Sequence, residues 1–186
     1  MAVVQRGLTL EQFLALPEEK PALEYEDGMV TQKVAPKGRH SALQAALVRY
    51  FDNAALARKL ARAFPELRVT FGGVSRVPDV SVYRWERVPR DAAGRVADVF
   101  TVPPDLVIEI VSPQQSVNEL VRRCLWYVDH GVPLALLVDP EDESVIRFQP
   151  NEEPRALRGA DEFDFADVLP GLQLAVRELF ASLQME

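Results

Sequence analysis

The sequence predicts an α/β protein in which helices flank a mixed β-sheet, and three observations favour this fold class. Apolar residues recur at helical spacing in residues 40–64 and 116–130. Apolar runs of strand length occupy residues 105–111 and 134–138, on either side of the second helical segment. The chain has 186 residues, of which 48% are hydrophobic, which is enough to bury one core. We therefore expect residues 1–186 to form a single domain.

Short-range signals predict the elements of the N-terminal half. Thr9 is followed by Gln12 in the pattern of a capping box, which predicts a short helix through LTLEQFLAL. The segment ALEYEDGMVTQKV predicts two strands that are joined by a tight turn at Asp27-Gly28. A long amphipathic helix is expected across residues 40–64. ELRVTFGG and DVSVYRW are then expected to be strands.

The C-terminal half begins with residues 84–104, which carry four arginines and three prolines. We expect this segment to be an exposed excursion between two strands. Ser116 and Glu119 predict a capped helix, and the apolar segments PLALLVDP and ESVIRFQ predict a hairpin after it. The tail predicts a short strand and a closing helix. Because a helix separates residues 105–111 from 134–138, these two strands are expected to be parallel neighbours.

Composition excludes several classes of protein. The net charge of −7 argues against a protein that coats nucleic acid by bulk electrostatics, although it allows one local basic groove beside a metal. The single cysteine, Cys124, excludes an intrachain disulfide and a cysteine-based zinc site. The chain has no run of 18 apolar residues and no signal-peptide pattern at its N-terminus. We expect a cytoplasmic protein without a membrane partner.

The buried strand at residues 105–111 contains a charged residue, Glu109. An unpaired carboxylate in such a strand is costly, so Glu109 needs a partner. Asp79 opens another strand directly after a proline, and Glu24 sits beside the hairpin turn. Asp79 and Glu109 would repel each other at one site unless a cation lay between them. Carboxylates suit Mg²⁺, and Mg²⁺ held in this way can activate water for phosphodiester hydrolysis.

Simpler explanations remain open at this point. Glu109 could be paired with a buried arginine, for instance Arg123. Asp79 could be a turn or cap residue, since it follows a proline. Glu24 could be a solvated hairpin residue.

Several segments resemble a known family. PDVSVY, PDLVIEIVSP and RRCLWYVDHGVPLALLVDP resemble the Uma family of putative restriction endonucleases, which belongs to the PD-(D/E)XK nuclease superfamily. The resemblance extends to LTLEQFLALP, EYEDG, GRHSALQAAL and LPGLQLAVRELF, in the same order along nearly the whole chain. It implies a restriction endonuclease-like fold and Mg²⁺-dependent cleavage of DNA, with Mn²⁺ able to substitute.

The resemblance also implies roles for individual residues. Asp79 and Glu109 would bind the divalent metal, with the backbone carbonyl of Ile110 as a further ligand. Glu24 would be the additional acidic residue that these nucleases place beside the metal. His40 matches a histidine that is often seen at this helix start and would contact the substrate or the site, although it could equally cap or pack.

The lysine of the family pattern is missing. The simple motif would place it two residues after Glu109, where this chain has Val111. The family instead carries a lysine on the following helix, four residues before an aromatic residue that matches Tyr127, and that position is Arg123. Arginine keeps the positive charge and can bind a phosphate with two hydrogen bonds, but it cannot readily give up a proton. Gln114, at the end of the sheet, could contact a phosphate or face water.

These observations predict an Mg²⁺-dependent endodeoxyribonuclease with Asp79 and Glu109 at its metal and with Glu24 and Arg123 assisting. The alternative is a catalytically degenerate nuclease-fold protein that acts as a nucleic-acid-binding or regulatory module, and a third possibility is a structural oligomerising domain. Because the two strands of a DNA duplex are related by two-fold symmetry, we expect a homodimer or a higher homo-oligomer. Residues 84–104 and apolar residues of the C-terminal segment are the expected contact surfaces.

Overall fold

The computed structural model describes residues 2–113, 115–166 and 168–185. Its N-terminal half contains β1 (Ala2–Arg6), α1 (Leu10–Leu14), β2 (Leu23–Glu26), β3 (Met29–Gln32), α2 (Gly38–Phe51), β4 (Ala61–Pro65), β5 (Val69–Phe71), β6 (Val74–Arg76) and β7 (Val80–Arg84). Its C-terminal half contains β8 (Leu106–Ile110), α3 (Val117–Asp129), β9 (Leu134–Asp139), β10 (Ser144–Phe148), β11 (Arg155–Arg158), β12 (Glu162–Asp164), β13 (Gln173–Ala175) and α4 (Val176–Ala181).

The strands form a mixed sheet and two antiparallel sheets. The mixed sheet has six strands in the order β11-β10-β9-β8-β7-β4. β8 and β9 are parallel, as the sequence predicts, and the crossover between them is α3. A five-stranded antiparallel sheet has the order β1-β3-β2-β6-β5, and β12 pairs with β13. The predicted mixed sheet with flanking helices is confirmed.

Side chains alternate between the two faces of β8. Leu106, Ile108 and Ile110 pack in the same apolar cluster as the buried residues of α2. Val107 packs in a second cluster with the buried residues of α3. Because successive side chains of a strand point to opposite faces, Glu109 lies on the α3 side with Val107. The strand thus directs one carboxylate towards α3 while its apolar side chains fill both cores.

Local signals in the sequence are confirmed at three places. The Thr9 hydroxyl accepts from the Gln12 N–H at 3.2 Å, and the Thr9 N–H donates to Gln12 Oε1 at 2.8 Å, so the capping box is complete. Asp27 and Gly28 have φ of 47° and 78°, as a tight hairpin turn requires. The Ser116 hydroxyl caps α3.

The long helix predicted for residues 40–64 is wrong only in its last third. The α-helix ends at Phe51 and continues as a π-helix over Asp52–Leu56, and the chain turns into β4 after Lys59, whose φ is 53°. Ala61 and Ala63 are buried and pair with β7. The residues ARKLARAF favour a helix, but pairing with β7 outweighs this local preference. The alternation of buried alanines is the strand signal in this segment.

The segment from residue 84 to residue 104 is only partly the exposed excursion that the sequence predicts. Val88 and Phe100 are buried in one cluster with residues of β5 and β7. Val99, by contrast, is 69% exposed. None of the helices in the described ranges has the length and apolar character needed to cross a bilayer.

Candidate active site

Glu109 lies on β8, and Asp79 directly precedes β7, the antiparallel neighbour of β8. Val80 of β7 pairs with Ile108 of β8, so the same register one residue further on places Asp79 opposite Glu109. Side chains opposite each other on one face have Cβ atoms about 5 Å apart. Both side chains are buried, with exposures of 3% and 2%. The register therefore places these two residues opposite each other at one end of the strand pair.

The carboxylate of Asp79 has three polar neighbours. Its Oδ1 atom lies 2.8 Å from Lys33 Nζ and 3.3 Å from His40 Nε2. Its Oδ2 atom accepts a 2.7 Å hydrogen bond from the Ile110 N–H. Burial alone would raise the pKa of Asp79, but His40 and the charge of Lys33 outweigh burial and hold this pKa well below its ordinary value. Asp79 is an oriented anion at neutral pH.

Lys33 and Glu66 are residues of this site that sequence reasoning missed. The Lys33 ammonium donates to Asp79 Oδ1 at 2.8 Å, to the Val77 carbonyl at 2.7 Å and to Glu66 Oε1 at 3.1 Å. The side chain is 9% exposed. Burial would lower the pKa of Lys33, but the charges of Asp79, Glu109 and Glu66 raise it above its ordinary value. The ammonium therefore stays charged.

A signal for Lys33 was present in the hairpin. Glu24 of β2 pairs with Thr31 of β3, so these two side chains share a face of the sheet. Lys33 follows Thr31 by two residues and continues on the same face. Once Glu24 is assigned to the site, the alternation of side chains along the strand predicts that Lys33 faces the site as well.

A second cluster surrounds Arg123, which projects from α3. Its Nη1 and Nη2 atoms donate to the two carboxylate oxygens of Glu24 at 2.5 and 2.6 Å. Its Nε atom donates to Glu109 Oε1 at 2.6 Å, and the Tyr127 hydroxyl donates to the same oxygen at 2.9 Å. The Val77 N–H donates to Glu24 Oε1 at 2.7 Å. The ion pair between Arg123 and Glu109 is present, and Glu24 is buried rather than solvated.

The pKa values of the two glutamates of this cluster are shifted in opposite directions. Burial opposes ionisation of Glu24, but the charge and hydrogen bonds of Arg123 outweigh it and hold the pKa of Glu24 below its ordinary value. Burial raises the pKa of Glu109, and the negative charge of Asp79 raises it further against the opposing charge of Arg123. The pKa of Arg123 is itself raised well above its ordinary value, because the charges of Glu109 and Glu24 outweigh the effect of burial. Arg123 therefore cannot act as a proton acceptor.

One group of donor atoms has the spacing of a metal site. His40, Glu66 and Asp79 each offer one ligand atom, and the three atoms lie within 4.8 Å of one another. His40 Nε2 is buried and has no hydrogen-bond partner among the described residues. Two carboxylate oxygens and one imidazole nitrogen are ordinary ligands of divalent cations. These residues therefore fit the metal that the family resemblance implies.

The other residues predicted for the site have these positions. Glu109 lies opposite Asp79, but its Oε1 atom is bound by Arg123 and Tyr127. Ile110 contacts Asp79 through its backbone N–H. Gln114 lies outside the described residues.

Comparison with known proteins identifies the family. Residues 10–177 match the Uma2 family, whose description is putative restriction endonuclease. The chain belongs to the Uma2 family. No curated protein matches this Uma2 chain.

Solved structures confirm the fold of this Uma2 protein. It is similar to the 1.96 Å crystal structure of a putative nuclease of the DUF820 family from Anabaena variabilis, with a TM-score of 0.91 and 37% identity. The match covers 96% of this chain and 100% of that chain. The restriction endonuclease-like fold is therefore confirmed. The cryo-EM structure of a DrdV–DNA complex matches with a TM-score of 0.43 and 16% identity over 77% of this chain and 12% of that chain, which is too weak to carry an argument.

Two cations of the described residues lie at the site of this Uma2 chain. Arg123 binds Glu24 and Glu109. The ammonium beside Asp79 comes from Lys33, which follows β3.

Proposed function

We propose that this Uma2 protein is a metal-dependent endonuclease that hydrolyses phosphodiester bonds of DNA in the cytoplasm. The observation that supports this most directly is the convergence of Asp79 and Glu109 at neighbouring strand ends, beside Lys33 and His40. The family description supports the class of reaction and its DNA substrate.

The residues around Asp79 can prepare the site for catalysis. The Ile110 N–H and the Lys33 ammonium fix the orientation of the Asp79 carboxylate before any substrate binds. A divalent metal such as Mg²⁺ or Mn²⁺ supplies an activated water and neutralises charge on the phosphate when it is bound. Asp79 would hold this metal, with Glu109 and the Ile110 carbonyl as the further ligands that the family resemblance implies.

Glu24 and Arg123 would assist by positioning Glu109. Arg123 binds both oxygens of Glu24 and one oxygen of Glu109, so it fixes Glu109 relative to the hairpin. Because Arg123 already binds two carboxylates, this arrangement also favours the alternative function, in which the nuclease fold only binds nucleic acid. DNA binding in EDTA without any cleavage in metal would support that alternative.

A cleft of about 750 Å³ borders the site at Lys33 and Glu66. Lys33 and Glu66 are among the residues that line it, together with the segment around Pro36. Glu66 is 42% exposed, whereas Asp79 behind it is buried. A phosphate would therefore reach Asp79 from the side of Glu66 and Lys33.

The function is tested by cleavage of supercoiled plasmid. We expect nicked and linear DNA in Mn²⁺ and in Mg²⁺, and none in EDTA. Glu109→Gln should lower the rate by about 10²-fold, the usual scale for losing one preorganised charge at a transition state. Asp91→Asn, which removes a loop carboxylate whose pKa is lowered chiefly by its hydrogen bonds with Arg95, is the matched control and should cleave normally. An inert wild-type protein in both metals would contradict the nuclease function.

We also propose that the protein forms a homodimer or higher homo-oligomer through residues 84–104. Val96, Val99 and Val102 of this segment are exposed apolar residues. The C-terminal segment does not offer the second surface that the sequence suggested, because its large apolar residues are mostly buried in the core. These are Phe163, Phe165, Val168, Leu169, Leu172, Leu174, Val176, Leu179 and Phe180.

Val99→Glu is expected to shift the protein towards the monomer, because a charge buried at an interface without a partner is unfavourable. Light scattering at micromolar concentration would measure the change. Val4→Glu, at another exposed valine on β1, is the control and should leave the assembly unchanged. A wild-type protein that is already monomeric at this concentration would contradict the proposal.

A further inference from the structure

His40 directs a ring nitrogen at Asp79 in the site. The ring is buried, and its Nδ1 atom lies 2.9 Å from the Ser112 hydroxyl, so that contact fixes the orientation of the ring. The opposite atom, Nε2, lies 3.3 Å from Asp79 Oδ1 but makes no hydrogen bond to any described residue. An imidazole with one nitrogen held by a polar neighbour and the other nitrogen directed at a carboxylate is a usual arrangement of a metal ligand.

Glu66 and Asp79 supply oxygen atoms on the same side as this nitrogen. One ligand atom from each of the three residues lies within 4.8 Å of the others. Ligands on opposite sides of an ion of the size of Mg²⁺ are about 4.2 Å apart, so a small movement would close the site. The Gln44 amide donates to the Asp79 carbonyl at 2.8 Å and to Glu66 Oε1 at 3.3 Å, which links the two acidic residues.

The ammonium of Lys33 binds the same carboxylates. It lies 2.8 Å from Asp79 Oδ1 and 3.1 Å from Glu66 Oε1, and the Val77 carbonyl completes a set of three oxygen acceptors. A divalent cation on these oxygens would be a few ångströms from the ammonium, where two positive charges repel strongly. Lys33 and a metal therefore compete for Asp79 and Glu66.

We infer that His40, Glu66 and Asp79 form the metal site of this protein, and that Lys33 neutralises its carboxylates whenever the metal is not bound. The inference rests on the metal dependence proposed above and adds His40 and Glu66 to the ligands of the metal on Asp79. Because an imidazole nitrogen suits transition metals better than it suits Mg²⁺, the site is selective for Mn²⁺ over Mg²⁺.

Calorimetric titration with Mn²⁺ tests the inference on four variants of the full chain. His40→Ala and Glu66→Gln should each weaken Mn²⁺ binding at least about tenfold, since each removes one ligand. His40→Ala should also abolish the preference for Mn²⁺ over Mg²⁺. Lys33→Met should strengthen Mn²⁺ binding by about tenfold or more, since it removes the competing charge. Lys37→Met removes an exposed lysine of the same segment and should bind as the wild type does.

Thermal unfolding provides a second readout that does not depend on cleavage. Without metal, Lys33→Met should melt at a lower temperature than Lys37→Met, because Asp79 and Glu66 lose their shared cation. Saturating Mn²⁺ should raise the melting temperature of Lys33→Met more than that of the wild type, in line with its tighter binding. If His40→Ala does not fold, Glu66→Gln tests the ligand assignment instead. Glu66 is 42% exposed, so we expect the protein to fold without its charge.

Three outcomes would overturn the inference. Unchanged or weaker Mn²⁺ binding by Lys33→Met would show that Lys33 and the metal do not compete for Asp79 and Glu66. Loss of Mn²⁺ binding in Glu109→Gln with normal binding in His40→Ala and Glu66→Gln would place the metal on Glu109, and the proposed nuclease function would survive. A wild-type protein and a Lys33→Met variant that both fail to bind Mn²⁺ or Mg²⁺ would remove this inference and the metal-dependent function together.

Discussion

Arg123→Ala is expected to destabilise the fold by about 3–5 kcal/mol, the usual cost of orphaning one member of a buried ion pair. Arg123 is the hydrogen-bond donor to both oxygens of Glu24 and to one oxygen of Glu109. All three side chains are buried. Without the guanidinium, the two buried carboxylates would lose the cation that lies between them. Urea unfolding at neutral pH would measure the loss of free energy of unfolding.

Two further variants separate the charge of Arg123 from its geometry. Arg123→Lys keeps the charge but cannot bind Glu24 with two parallel hydrogen bonds, so it should lose an intermediate amount of stability. Arg122→Ala removes the exposed neighbouring arginine and should change the free energy of unfolding by less than about 0.5 kcal/mol.

Plasmid cleavage by the same proteins distinguishes a structural arginine from a catalytic one. If Arg123 takes over the task of the family lysine at the phosphate, Arg123→Lys should retain or raise the rate of cleavage. Arg123→Ala should then lower the rate by about 10²-fold. An Arg123→Ala protein that is as stable as the wild type but cleaves poorly would contradict the structural role that the contacts of Arg123 indicate.

Asp79→Asn is expected to lower DNA cleavage by about 10²-fold to 10³-fold, because it removes a charged group that holds the metal in both ligand assignments. Asparagine has nearly the shape of aspartate and can still accept the hydrogen bond from the Ile110 N–H. It cannot neutralise Lys33, and it is a poor ligand for a divalent cation. Single-turnover cleavage of a labelled DNA duplex would measure the loss, and calorimetry would show weaker Mn²⁺ binding.

Asp105→Asn is the matched control for Asp79→Asn. Asp105 is also a buried carboxylate, but it binds Arg84 and Arg87 rather than residues of the candidate site. Its replacement should reduce stability while each folded molecule cleaves at the normal rate. Equal losses of cleavage in the two variants, or full activity of Asp79→Asn, would show that Asp79 has no special part in the reaction.

Local chemistry in the sequence determined much of the architecture. The capping box at Thr9, the turn at Asp27-Gly28 and the apolar strand around Glu109 each depend on neighbouring residues, so each could be predicted from a short segment. The parallel pairing of β8 with β9 followed from the helix between them. The helix predicted for residues 61–65 was wrong because pairing with a distant segment outweighed the local preference. This segment favours a helix but forms β4 through its pairing with β7.

The meeting of Asp79 with Glu109 could also be predicted, because adjacent strands bring their ends together. The pairing of Glu109 with Arg123 was one of the explanations that the sequence left open, but the cations that bind Asp79 and Glu24 could not be predicted. Lys33 is 46 residues from Asp79 in sequence, and Arg123 is 99 residues from Glu24. The sequence by itself determined most of the strands and helices and which of their faces are apolar. Only the tertiary structure decided which cation each carboxylate binds, because the periods of strands and helices give the direction of a side chain along its own element but not its distance from another element.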